Sequence, residues 1–94
     1  MNKFNVVLTE HAVGDLKGIA KDLRGKIHQD LMALERNPFP YGNFIKRLKG
    51  FRPTVLRMRS GDFRVLYHIE GEVVTILRLI DRKELDRVIK RLKI

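Results

Sequence analysis

The sequence predicts one α+β domain over residues 1–94, with the element order βααβββα. Helical spacing of apolar residues dominates the first third of the chain, whereas strand-like segments and a final helix fill the second half. Because helices and strands fall into separate blocks rather than alternating, we expect an antiparallel sheet, an N-terminal helical hairpin and a C-terminal helix. A chain of this length supports a single modest core.

The N-terminal part predicts a strand followed by two helices. Phe4–Leu8 is strand-like, and Thr9 is a favourable helix N-cap. Gly25 is the expected turn between the helices, and Asn37-Pro38 ends the second one. The apolar positions with helical spacing are Ala12, Val13, Leu16, Ile19, Ala20 and Leu23 in the first helix and Ile27, Leu31 and Leu34 in the second.

The C-terminal part predicts a three-stranded meander and a helix. The strands are Thr54–Arg59, Phe63–Glu70 and Glu72–Ile80, joined by turns at Ser60-Gly61-Asp62 and Glu70-Gly71. Asp81 then caps a helix with one apolar stripe. This stripe consists of Leu85, Val88, Ile89 and Leu92.

Alternation along the strands places arginines together. Arg57 and Arg59 share one face of their strand, whereas Leu56 and Met58 share the other. Pairing the apolar faces of adjacent strands sets Arg59 across from Arg64. Like charges opposed across a sheet destabilise it, so the three arginines indicate an anion site.

The alternative is that acids on a solvated face neutralise these arginines. Few acids are placed to do so, because Asp62 and Glu70 fall at turns. The two-residue Glu70-Gly71 turn would further set Tyr67 across from Val74 and Val65 across from Ile76. That register puts four more residues on the arginine face, which the last helix or a partner must then partly cover. They are Leu66, Thr75, Leu77 and Leu79.

Composition points to a polyanionic partner. The net charge is +9 from 20 Lys+Arg against 11 Asp+Glu, and the chain contains no cysteine. Such a basic small domain usually meets nucleic acid, although a solvated thermophile-like surface would look similar. No apolar segment has the length of a membrane span, and the N-terminus lacks a signal-peptide pattern. We therefore expect a cytoplasmic protein that makes no membrane contact.

Three segments resemble the RelE/ParE toxin superfamily. They are Leu48-Lys49-Gly50, the block Leu56–Tyr67 with its Gly-containing turn, aromatic-Arg pair and Val-x-Tyr, and Ile80-Asp81-Arg82-Lys83. Chain length and element order agree as well, so the resemblance covers nearly the whole chain.

The resemblance implies a RelE-like toxin that cleaves mRNA in the ribosomal A site. The RNA 2′-hydroxyl attacks the neighbouring phosphate, so neither a metal nor a cofactor is expected. Carried over by position, the catalytic cations are Arg57, Arg59 and Arg64, together with Arg82 or Lys83 after the last strand. The basic segment before the meander adds Lys46, Arg47 and Lys49 as RNA-binding residues.

The resemblance also implies a RelB-like antitoxin partner, which competes with or displaces the last helix. Three positions depart from the family pattern. Leu56 stands where the family often has an aromatic residue. Arg57 stands where some members have lysine, and Ile89 aligns with a tyrosine that helps to hold the substrate. Arginine is a poor base, so electrostatic stabilisation and substrate orientation would carry more of the rate.

Two other functions remain open. A ParE-like member would have the same fold and inhibit DNA gyrase by protein binding, although gyrase-directed members generally lack the arginine set. A catalytically weak member would bind RNA through the basic face without cleaving it.

Overall fold

A computed structural model describes residues 3–92. Its elements are β1 (Asn5–Leu8), α1 (Glu10–Lys17), α2 (Lys21–Leu34), β2 (Ile45–Arg47), β3 (Leu56–Ser60), β4 (Phe63–Glu70), β5 (Val73–Asp81), a 3₁₀ turn (Arg82–Glu84) and α3 (Leu85–Arg91). The predicted α+β class, helical hairpin and C-terminal helix are confirmed. Within this part of the chain, no helix combines the length and apolar character needed to cross a membrane.

The five strands form one mixed sheet in the order β1-β5-β4-β3-β2. The predicted meander is β3, β4 and β5, and the structure adds β2 at its edge. This strand has three residues, of which only Ile45 is buried, so it carries no alternating pattern that sequence could reveal. β1 runs parallel to β5, which makes the sheet mixed rather than wholly antiparallel.

The break between the first two helices lies earlier than Gly25, which is inside α2. α1 ends at Lys17, and the connection closes through Arg24, whose Nε and Nη2 donate to Ile19 O at 2.8 Å and Lys17 O at 2.9 Å. Ile19 is buried although it lies in this connection. The apolar spacing therefore continues through the break and hides it from a sequence pattern.

Two apolar layers cover the sheet, one on each face. On the face of the helical hairpin, α1 and α2 pack on side chains such as Met58, Val65 and Tyr67. On the opposite face, α3 covers Leu66 and Ile80. The predicted cover by the last helix is thus confirmed. On the α3 side, this second cluster comprises Leu85, Val88 and Leu92. Ile89, which the sequence places on the same stripe, is half-buried and is not among them.

The predicted register between β4 and β5 is wrong. Tyr67 pairs with Ile76 rather than Val74, and Val65 pairs with Leu79 rather than Ile76. The turn comprises Gly71 and Glu72 instead of Glu70-Gly71, and the register shifts next to Leu66, which leaves Leu77 as an extra residue in β5. A bulge reverses the alternation beyond it.

This bulge has opposite consequences for two leucines. Leu77 stays on the arginine face, as predicted, and Leu66 lies there too. Leu79 instead enters the core under the helical hairpin, so its predicted position on the arginine face is wrong. No turn-based register argument anticipates a bulge within the strand.

Asp15 of α1 covers the edge of β5 where β1 ends. Its Oδ2 accepts from the Leu79 backbone N–H at 2.9 Å and from Arg78 Nε at 2.8 Å, and its Oδ1 accepts from Arg78 Nη2 at 3.1 Å. Both side chains are largely buried, with relative exposures of 15% for Asp15 and 21% for Arg78. One carboxylate therefore joins the first helix to the last strand.

We expect Asp15→Ala to lower the free energy of unfolding by about 1–3 kcal/mol, because it leaves a backbone N–H and a guanidinium without their acceptor. Glu72→Ala, at an exposed acid in a turn, is the matched control and should change it little. Urea unfolding of both variants measures the difference. Equal midpoints would show that Asp15 does not stabilise the edge.

The buried Tyr67 hydroxyl donates to Pro38 O at 2.7 Å, and burial raises the pKa of Tyr67 above its ordinary value. We expect Tyr67→Phe to lower the free energy of unfolding by about 1–2 kcal/mol because the Pro38 carbonyl loses its donor.

The wild type should also lose stability as pH rises above the ordinary tyrosine pKa of 10.0, since the unfolded chain ionises first. Alkaline unfolding should show that decline reduced in Tyr67→Phe and unchanged in Tyr41→Phe.

Candidate nucleic-acid interface

An arginine pair marks the sheet face opposite the helical hairpin. Arg59 of β3 lies directly across from Arg64 of β4, as the sequence predicts. Arg57 follows on the same face of β3, because the intervening Met58 is buried under the hairpin. The turn Gly61-Asp62 sets this register, and Gly61 has a φ of 60°, a conformation that favours glycine.

Arg82 joins this pair from the end of β5. Its backbone N–H donates to Asp62 O at 2.8 Å, which ties the start of the 3₁₀ turn to the β3–β4 turn. Its Nε also lies 3.9 Å from Asp62 Oδ1, in an exposed pair. Arg57, Arg59, Arg64 and Arg82 are hereafter the arginine cluster.

Lys83 is placed less firmly. Its backbone N–H donates to Asp81 Oδ1 at 2.8 Å, which caps the turn as predicted for Asp81. Its side chain is exposed. The structure therefore fixes the position of Lys83 in the chain beside Arg82 and leaves its ammonium group in solvent.

Neutral carbonyls hold two members of the cluster. Arg57 Nη1 donates to Asn43 O at 3.1 Å. Arg64 Nη1 donates to Gly61 O at 3.0 Å and to Phe63 O at 2.9 Å. Within residues 3–92, the salt bridges include none from Arg57, Arg59 or Arg64. The guanidinium groups are thus oriented without being neutralised.

The cluster members repel one another. Partial burial lowers the pKa of Arg57, and the charges of Arg64 and Arg59 lower it further. Burial also lowers the pKa of Arg64, and the positive charges of Arg59 and Arg82 lower it further. Asp62 and Asp81 oppose this shift at Arg64 but do not reverse it. A bound anion at this position would relieve the repulsion.

The three predicted RNA-binding residues have different positions. Lys46 of β2 lies across from Arg57 and extends the cationic row to the sheet edge. Arg47 pairs with Leu56, whose side chain is in the hairpin core, so Arg47 lies on the other face. Lys49 is exposed in the loop after β2. The structure therefore brings Lys46 to the cluster and places Arg47 away from it.

Sequence reasoning missed the backbone acceptor of Asn43. This residue lies in the loop before β2, and no local pattern connects that loop to Arg57.

His68, the one imidazole in β4, lies on the cluster face four residues from Arg64, which is roughly 13 Å along a strand. It lies closer to Arg57, because Leu66, which pairs with Arg57, is only two residues from His68 along β4.

The sequence profile of the family described as "ParE toxin of type II toxin-antitoxin system, parDE" matches residues 6–86. A protein of Methanocaldococcus jannaschii named as toxin RelE1 is 38% identical over 84 residues, covering 87% of this chain and 92% of that one.

Two similar solved structures are complexes. The archaeal RelE–RelB complex from Pyrococcus horikoshii has a TM-score of 0.72 at 27% identity and covers 85% of this chain and 96% of that one. The RelBE2 toxin–antitoxin complex from Mycobacterium tuberculosis has a TM-score of 0.74 at 25% identity, with coverages of 85% and 99%. With a profile match over most of its length, the chain belongs to the RelE/ParE toxin superfamily.

Proposed function

We propose that this chain is the toxin of a type II toxin–antitoxin system, and that the arginine cluster cleaves mRNA in the ribosomal A site. The observation that carries the proposal is the Arg59–Arg64 pair, in which two cations face each other and, within residues 3–92, no acid forms a salt bridge with either. Such an arrangement costs stability, and a phosphodiester provides the negative charge that it lacks.

The chemistry is an internal transfer at phosphorus. The RNA 2′-oxygen loses its proton and forms a bond to phosphorus, while the bond from phosphorus to the 5′-oxygen breaks and that oxygen takes up a proton. The products are a 2′,3′-cyclic phosphate and a free 5′-hydroxyl. Negative charge develops on the phosphoryl oxygens and on the leaving oxygen, and the cluster offers preorganised donors to both.

The four arginines suit stabilisation rather than proton abstraction. Guanidinium groups offer planar forks of N–H donors that match phosphate oxygens. The carbonyl anchors at Asn43 and Gly61 preset the orientation of Arg57 and Arg64, so little reorganisation is needed when the substrate binds. We assign Arg82 to the transition-state charge, with Lys83 as a flexible helper.

The ribosome and an antitoxin are the proposed partners. The net charge of +9 suits a site lined with RNA, and a cytoplasmic toxin would meet mRNA there. The relatives from Pyrococcus horikoshii and Mycobacterium tuberculosis were solved with antitoxins. By analogy, we expect the reading frame adjacent to this chain's gene to encode a RelB-like antitoxin.

A gyrase-directed function is the second candidate, because the matching family profile is that of ParE toxins. The arginine cluster favours RNA, since inhibition by protein binding does not require opposed, unneutralised cations. Induced expression separates the two. Cuts within translated codons support the proposal, whereas gyrase-linked DNA breaks with intact mRNA support the second candidate.

We expect Arg59→Ala to slow single-turnover cleavage on mRNA-programmed ribosomes by about 10²–10³-fold, because it removes a positive charge that stabilises the transition state. Arg57→Ala and Arg64→Ala should also slow cleavage. Arg36→Ala, at an exposed arginine after α2, is the control of equal charge and should cleave normally.

The stability of the same variant provides an independent measurement. The free energy of unfolding of Arg59→Ala should stay within about 0.5 kcal/mol of the wild type or rise, because the exposed side chain is removed from a like-charge pair. Full cleavage by all three cluster variants, each normally folded, would remove this active site.

We expect substitution of Arg82 to impair cleavage and substitution of Ile89 to lower stability. Arg82→Ala should slow cleavage by roughly 10²-fold or more with an unchanged melting temperature. Ile89→Ala should cost roughly 1–2 kcal/mol of stability, below the range for a fully buried isoleucine, and should cleave normally once folded. Thermal melts and single-turnover cleavage test both variants. An Ile89→Ala variant that melts normally yet does not cleave would reverse the two assignments.

A further inference from the structure

A second basic surface lies between the start of α1 and helix α3. It is a groove of about 590 Å³, with His11 on the α1 side and Arg87 and Arg91 on the α3 side. Leu77 and Leu92 contribute apolar surface to its lining. None of the four arginines of the cluster lines this groove, so it is a separate site.

The charge of the groove is positive. Arg87 and Arg91 are four residues apart on α3, so they project from the same side of the helix, and both are exposed. Arg78 also lines the groove but is held by Asp15, and Arg87 pairs with Glu84 of the preceding 3₁₀ turn. Arg91 has no salt bridge within residues 3–92, and no acidic side chain lines the groove. The local field therefore favours a negatively charged occupant.

The apolar surface continues beyond the groove. Leu77 is the extra residue of the β5 bulge and is only half-buried, because α3 covers it incompletely. On the neighbouring β1, Val7 is 46% exposed. It lies on the α3 side of the sheet, since Val6 and Leu8 pack under the hairpin. Water therefore contacts an apolar surface bordered by cations, a composition typical of a protein-binding surface.

RNA fits this groove less well than a peptide does. Among the described residues that line it, none is a Phe, Tyr or Trp on which a base could stack. A segment with acidic residues on one side and aliphatic residues on the other would match both the cations and the leucines.

We propose that this groove binds an acidic amphipathic segment of the antitoxin while α3 stays in place, in contrast to the displacement of the last helix that the family resemblance implies. The proposal rests on the antitoxin partner of the proposed function and identifies where on the toxin one segment of it binds. Because the groove is separate from the arginine cluster, this contact persists when the cluster arginines are replaced.

The test uses the full chain and, as the probe, the purified product of the adjacent reading frame. The variant Arg87→Glu/Arg91→Glu reverses both groove charges. The control Lys21→Glu/Lys90→Glu makes the same change in net charge at exposed lysines that do not line the groove. Circular dichroism and thermal melts verify that both are folded.

We expect the groove variant to bind the probe roughly 100-fold more weakly than the control does, as measured by titration calorimetry. Arg57→Ala/Arg59→Ala should retain groove-dependent binding. Equal affinities of the groove variant and the control, or no binding to the wild type, would overturn the proposal. A fluorescein-labelled 12-nucleotide RNA that loses as much affinity as the probe would assign the groove to RNA and also overturn it.

Cleavage by the free proteins separates this inference from the proposed function. The groove variant should cleave mRNA on programmed ribosomes as fast as the control of equal net charge, since it keeps the whole cluster. If the wild type does not cleave, the nuclease proposal fails, and the calorimetric comparison still decides the groove. If cleavage is normal and the groove variant binds as tightly as the control, only the groove inference fails.

Discussion

The register of the β3–β4 hairpin is the constraint on which the other features depend. Burial of Met58 opposite Val65 fixes which face of each strand packs under the helices. Because side chains alternate, the same pairing forces Arg59 and Arg64 together on the other face. A slip of either strand by one residue would turn that strand's arginine into the core, so the apolar core holds in place a like-charge contact that would not form by itself.

The bulge at Leu77 connects this hairpin to the rest of the sheet. It turns Leu79 toward α1 and α2 and allows Ile80 to pack under α3. These two consecutive residues of β5 therefore belong to apolar layers on opposite faces of the sheet. The strand then ends beside the β3–β4 turn, where Arg82 bonds to Asp62. Without the shift in register, the chain beyond β5 would present different side chains to the arginine cluster.

Local pattern predicted the parts of the molecule that local chemistry determines. The α+β class, the Arg59–Arg64 pair and the cover by the last helix follow from alternation, turn residues and helical periodicity. The bulge, the short β2 and the parallel placement of β1 depend on contacts distant in sequence, such as Asp15 with Arg78. The orientation of Arg57 by the Asn43 carbonyl depends on the same kind of contact, which is why the anchors of the site were not predictable.

The way in which the cations are anchored distinguishes this face from an ordinary basic surface. Arg78 is held by the Asp15 carboxylate, which neutralises its charge at the sheet edge. Arg57 and Arg64 are held by carbonyls, which orient a guanidinium and leave its charge available. In a site without acidic side chains, the guanidinium groups keep a fixed orientation only if neutral acceptors hold them. Backbone carbonyls do so here because the turn and the loop before β2 already expose them. The fold therefore maintains a preorganised positive field on this face of the sheet.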